Sequence, residues 1–172
     1  GLGFSSVPEF AGAARWAWRD WSVSLSADKG DILVWNPGHL RRYDRTAYGS
    51  FGIGLARQAG PMLLDLNLRR LDEAGTVLGA RFGPIMGMVG SVTHFAAFRA
   101  RYAGATGWRL SGRYQRGWTH VPAGGVRPEA DQLVSTSWSV DAMRSHVWQP
   151  GDELALRISQ PLRVARGGKG WL

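Results

Sequence analysis

Residues 92–121, VTHFAAFRARYAGATGWRLSGRYQRGWTHV, constrain the fold more than any other stretch of the chain. Read at a period of two, the first arm puts Val92, Ala96, Phe98, Ala100 and Tyr102 on one side, with Thr93, Arg99 and Arg101 on the other. After the small-residue turn at 103–107, the second arm sets Trp108, Leu110, Tyr114 and Trp118 against Arg109, Ser111, Arg113 and Gln115. Side chains alternate across a strand, so the stretch predicts a hairpin with one apolar and one cationic face. Helical spacing would scatter the same arginines around a full circumference. Two residues break the pattern: Arg116 falls on the apolar side and Phe95 on the polar side.

Each arm runs about 10 or 11 residues, longer than the ~5–6 usual in globular proteins and within the ~9–11 that cross a bilayer at a tilt. Tyr102, Trp108 and Trp118 sit near the ends of the arms, where a membrane-spanning strand carries its interfacial aromatic girdle. A soluble sheet with one wet and one dry face carries the same alternation, so the hairpin alone leaves both open.

The rest of the chain repeats the theme. Residues 1–13 read as an irregular lead-in. In 14–26 Trp16 and Trp18 share one phase and Trp21, Val23 and Leu25 the other, which places a turn or bulge at Arg19-Asp20. Asp28-Lys29-Gly30-Asp31 has the composition of a turn, 39–46 that of a polar loop. Residues 47–56 alternate Gly and Ser with larger apolar residues. Past a turn at 58–61, Met62, Leu64, Leu66 and Leu68 oppose Leu63, Asp65, Asn67 and Arg69. A long connection is expected over 71–90, including the apolar patch Ile85-Met86-Gly87-Met88, and a second loop over 122–128. Val134, Trp138 and Val140 then alternate with serines. Finally Leu154, Leu156 and Ile158 oppose Ala155, Arg157 and Ser159, with Pro161 marking an edge or a strand end and 165–172 a flexible tail.

These segments predict one all-β domain over 1–172, an antiparallel meander of about eight or more strands spanning 14–164. The expected architecture is an outer-membrane-type β-barrel or part of one, the alternative a soluble β-sandwich or barrel.

Composition narrows the chemistry. The chain of 172 residues has a formal net charge of +8, and every basic residue except Lys29 and Lys169 is arginine. A guanidinium fork suits carboxylate, phosphate or aromatic partners. The arginines are interleaved with apolar residues and form no basic run, which argues against nucleic acid as a partner. With no cysteine, thiolate metal sites, disulfides and thiol catalysis are excluded. There are 9 tryptophans and 24 glycines, a balance that suits an interface and closely paired strands. No apolar run is long enough for a transmembrane helix. The chain opens on Gly1 without a charged segment leading into an apolar one, as expected of a processed chain or a section of a longer one.

Catalytic signatures are missing. His39, His94, His120 and His146 have no partner at metal-ligand spacing, and Gly49-Ser50-Phe51-Gly52 lacks the spacing of a nucleophile elbow. Gly52-Ile53-Gly54 has no helix behind it to hold a phosphate. Carboxylates are few and fall mostly in turns, against a paired acid/base site. The expectation is a non-enzyme with no catalytic residue, cofactor or metal.

Three segments carry a family likeness: LDEAGTVLGARF at 71–82; GWRL at 107–110 with GWT at 117–119; and GDELALRISQPLRV at 151–164. Together they resemble the C-terminal region of autotransporter-like subtilisin-family (S8) serine peptidases from sphingomonad-type alphaproteobacteria. The likeness covers roughly 45–168 and is most specific in the third segment. It implies a non-catalytic translocator that anchors a secreted protease in the Gram-negative outer membrane, a type V secretion arrangement. The implied partners are outer-membrane lipid, the upstream passenger protease and the barrel-assembly machinery. The family's catalytic triad belongs to the upstream domain, and nothing in this chain matches it. In the family the chain continues with further strands beyond the third segment, whereas this sequence ends at Leu172.

On this reading Arg69, Arg99, Arg101, Arg109, Arg113 and Arg157 line a watery lumen, paired with Asp65 or glutamates. Leu64, Leu66, Phe98, Tyr102, Trp108, Leu110, Tyr114, Trp118, Trp138 and Leu156 face lipid or form its girdles. One arginine near a bilayer midplane costs ~2–4 kcal/mol, so six on the lipid side would be untenable. The competing readings are a secreted or periplasmic β-domain whose arginines and tryptophans bind an anionic polymer (nucleic acid or polysaccharide), and an interaction module for the protease.

Overall fold

The computed structural model describes residues 6–35, 43–80, 90–122 and 132–166. Eight strands follow one another: β1 (Ser6–Trp18), β2 (Trp21–Trp35), β3 (Tyr43–Ala59), β4 (Met62–Glu73), β5 (Ser91–Ala103), β6 (Trp108–His120), β7 (Gln132–Ser145) and β8 (Glu153–Arg166). Each pairs antiparallel with its sequence neighbours, giving a single sheet in the order β1 to β8. The all-β antiparallel meander expected from the alternation is therefore the fold. Among the described residues β1 pairs only with β2 and β8 only with β7, so the sheet is open.

Several boundaries differ from those read in the sequence. Strand β1 begins at Ser6, inside the stretch taken as an irregular lead-in, and β8 runs to Arg166. Strand β2 passes straight through Asp28–Asp31, where turn composition suggested a break. Those residues answer to their neighbours instead: Asp28 is engaged by Ser50 and Arg69 across the sheet, and Gly30 lies beside a register shift in β1 between Pro8 and Phe10. A Cβ on Gly30 would sit 2.2 Å from the Val7 carbonyl oxygen, so the bulge requires glycine there. Strand β3 starts at Tyr43, within the expected polar loop, and β4 extends to Glu73, so the following connection begins at Ala74. The Ile85–Met88 patch lies outside the described residues.

The connections sort by length onto two ends. Short turns, at 19–20, 60–61, 104–107 and 146–152, share one end of the sheet; the longer loops between β2 and β3, β4 and β5, and β6 and β7 share the other. At the short-turn end Arg19 takes φ 53° and Gly60 φ 56°. A left-handed first position gives a two-residue hairpin turn the twist of its strands, and Gly60 supplies it without the Cβ clash that Arg19 bears. Asp152 closes the 146–152 turn by accepting the N–H groups of Val147 at 2.8 Å and of Trp148 and Gln149 at 3.0 Å.

The two sides of the sheet differ in shelter. In the middle of β2 to β7 most large apolar side chains are exposed while the polar side is mostly intermediate or buried, so the sheet curls toward the polar side. Near the loop end, Ile32, Tyr48, Leu71 and Phe95, from four successive strands, form a buried cluster, with Val34 and Leu78 against it. Phe95, out of phase in the sequence, is thereby explained: its ring belongs to this small core. Thr93 and Thr119, fully buried beside it, share a hydrogen bond of 2.9 Å. The segment 74–80 folds here around Glu73. The Glu73 carboxylate accepts from Thr76 Oγ1 (2.8 Å), Leu78 N (2.8 Å), Gly79 N (2.7 Å) and Ser91 Oγ (3.1 Å). Four donors offset the cost of burying it.

Candidate functional site

The register decides which residues share a face, because directly paired residues point the same way. One row reads Trp16, Val23, Leu55, Leu66, Phe98, Tyr114 and Trp138 across β1 to β7. Another reads Met62, Tyr102, Leu110, Ala142 and Leu156. Alternation along the strands adds Leu64, Trp108 and Trp118 to the same side. All ten apolar residues picked from the sequence thus occupy one face. It is turned outward: Leu66 is 45% exposed, Leu110 44% and Leu156 62%. A packed interior for these leucines is absent from the described sheet.

The rows run obliquely. Trp21 begins β2, yet its row passes through Arg57, Leu64 and Ala100 to Gly112, well inside β6 beyond Trp108 and Leu110. Such stagger is what strand tilt produces in a curled sheet. From Trp108 to Trp118 the strand covers about 34 Å at ~3.4 Å per residue. At a ~40° tilt this projects to about 26 Å, close to the ~25 Å apolar band of outer-membrane barrels.

Aromatic residues with guanidinium partners border the band at both ends. At the short-turn end Arg19 lies 4.9 Å from the Trp18 ring centroid, Arg57 5.0 Å from Trp21 and Arg144 5.4 Å from Trp108. At the loop end Arg116 lies 5.4 Å from Trp118, which accounts for the arginine on the apolar side. Each pair combines a cation–π contact with a side chain that is apolar at its base and wet at its tip. The sequence pattern missed Arg19, Arg57 and Arg144 as a group, since only pairing between strands sets Arg57 beside Trp21 and Arg144 beside Trp108.

The opposite face carries the six arginines. Arg69, from β4, forms an ion pair with Asp28 of β2 and hydrogen bonds with Ser50 of β3 at 2.9 Å and 2.7 Å. Ser50 in turn donates to Asp28 at 2.6 Å. Arg157 pairs with Asp141, which also accepts from Ser111 at 2.9 Å, linking β8, β7 and β6. Arg109 pairs with Glu153, and Arg113 donates to Gln115 at 2.8 Å. Arg99 and Arg101 have no hydrogen bond or ion pair among the described residues. Asp65, one of the expected partners, lies opposite Arg99 in the register yet forms no ion pair; Asp28 and Asp141 take its role, and of the expected glutamates Glu153 pairs with Arg109. Arg99 and Arg113 are themselves directly opposed, and like charges so placed repel.

A pocket of about 340 Å³ opens at the short-turn end of this polar face, between Leu63, Arg101, Arg109, Ser111 and Met143. Of the histidines, His146 accepts the Gly151 N–H in a turn at 3.0 Å, His94 stands beside Trp118 on the apolar side, and His39 lies outside the described residues. Among the described residues no three or more metal-ligating side chains cluster. Asp152, in its turn, sits below the usual carboxylate range. Burial pushes it upward, but the three backbone N–H groups it accepts outweigh that.

No protein-family model, curated protein or solved structure matches the chain. The function therefore has to be argued from the two faces.

Proposed function

We propose that the chain is a non-catalytic translocator and anchor β-domain, or a section of one, resident in the Gram-negative outer membrane and serving an autotransported subtilisin-family peptidase. One observation carries this reading. A band of exposed aliphatic and aromatic side chains runs across the whole sheet, bordered at both ends by Trp–Arg pairs, while the ion-paired arginines keep to the other side. In water so large an apolar surface is a liability, since exposed patches on soluble monomers rarely exceed a few hundred Å². In lipid it is the favoured arrangement, and the asymmetry between short turns and long loops fits the same setting. The link to a protease passenger rests on the three resembling segments at 71–82, 107–119 and 151–164.

Because lipid does not tolerate an open sheet edge, the bare edges of β1 and β8 must be closed in the membrane, and the assembly machinery would be the agent. Expression of the chain in a Gram-negative host tests the reading. It requires the protein in the outer-membrane fraction, resistant to carbonate extraction and monodisperse only in detergent. A chain that is monodisperse in plain buffer would refute it.

Arg99 and Arg101, without partners, favour a second reading: a soluble domain that binds an anionic polymer on its polar face. Its signature is binding without detergent that weakens steeply as salt rises.

A further inference from the structure

We infer that the short-turn rim of the apolar face docks on the phosphodiester headgroups of an anionic glycerophospholipid, and so fixes which end of the sheet meets that leaflet. The inference rests on the membrane reading above and adds to it a lipid chemistry and an orientation. Three guanidinium groups, Arg19, Arg57 and Arg144, stand on this rim, each over a tryptophan. None of the three has a carboxylate partner among the described residues, although Asp20 shares the turn with Arg19. All three are exposed. At the other end Arg45 is tied to Asp31 at 3.9 Å and Arg70 to Asp72 at 2.8 Å, which leaves Arg116, over Trp118, as the single stacked arginine there against three on the short-turn rim.

The geometry suits a phosphate. Stacking on an indole orients the planar fork and leaves its N–H edge free, and that edge matches two phosphate oxygens. The indole beneath is at home at headgroup level. Charge complementarity therefore selects an anionic headgroup, and the apolar band beside it selects one attached to acyl chains. A guanidinium near an anionic bilayer surface strengthens attachment about fivefold, so three together give on the order of a hundredfold.

The test uses the full chain, refolded from urea into vesicles of phosphatidylcholine alone or with added phosphatidylglycerol. Wild type should enter both, with the anionic lipid raising the insertion equilibrium on the order of a hundredfold at low salt. Arg19→Gln, Arg57→Gln and Arg144→Gln combined should remove most of that increment; Arg45→Gln with Arg70→Gln should retain it. Glutamine keeps much of the stem, and equal entry of both variants into phosphatidylcholine confirms that they fold. Equal entry of wild type into both lipids, or equal loss in the two variants, overturns the inference while leaving the membrane reading standing. Failure of wild type to enter either vesicle overturns both.

Discussion

Leu66→Arg separates the two environments that the apolar face could occupy. Leu66 sits mid-band in β4, between Leu64 and Leu68 on its own strand and paired with Leu55 and Phe98 on its neighbours. It is 45% exposed, so in water an arginine there is an ordinary surface substitution with an effect within about ±0.5 kcal/mol. In lipid the same position lies near the midplane, where an arginine costs ~2–4 kcal/mol, a factor of roughly 30 to 1,000 in the insertion equilibrium. Arg113→Leu supplies the internal comparison. Its one hydrogen bond, to Gln115, contributes about 0.5–1.5 kcal/mol, and its removal also relieves the repulsion from Arg99. The net change should lie near zero. The assay is a urea-titrated folding equilibrium in neutral lipid vesicles, followed by tryptophan fluorescence and electrophoretic mobility. Equal shifts for the two variants, or a Leu66→Arg shift below about 0.5 kcal/mol, would refute the assignment of faces.

Three further outcomes follow from the polar side and the turns. Glu73→Ala orphans the donors of Thr76, Leu78 and Gly79, while Ser91 keeps the Thr76 carbonyl, and should lower stability by at least about 2 kcal/mol, with hydrogen exchange of the Leu78 and Gly79 amides accelerating first. Arg69→Met leaves the sheltered Asp28 carboxylate without its cationic partner and should cost about 1–3 kcal/mol, seen as an earlier urea midpoint; an unchanged midpoint would show the pair to be idle. The 146–152 turn should be pH-sensitive with a defined sign. Because Asp152 is depressed in the folded state, its contribution is complete above the ordinary carboxylate value of about 3.9 and fades as pH falls through the folded value. Protection of the Val147, Trp148 and Gln149 amides should fade in that acid window, and loss already at pH near 6 would contradict the hydrogen-bond assignment.

Alternation made the faces legible in advance. Strand side chains repeat every two residues, so Leu64, Leu110 and Arg113 could be sorted without knowing any partner strand. Ends and pairings were harder. The composition of 28–31 suggested a turn because Asp and Gly are turn formers, but a carboxylate wanted by Arg69 and a bulge opposite Gly30 are tertiary demands that override local preference. Asp65 and the glutamates were the expected counter-ions, but the ion pairs of Arg69, Arg109 and Arg157 join different strands and depend on register, which passes over Asp65. The Trp–Arg pairs of the rim were invisible for the same reason. Phe95 read as a flaw in the pattern because one strand cannot reveal that four strands contribute to a cluster at one end.

That cluster has a further meaning. Ile32, Tyr48, Leu71 and Phe95 knit four neighbouring strands together near the loop end, and the segment that lays Leu78 against them is held by a single carboxylate, Glu73. Whatever unseats Glu73 therefore also uncovers the cluster, so one acidic side chain couples the 74–80 segment to the joint between four strands.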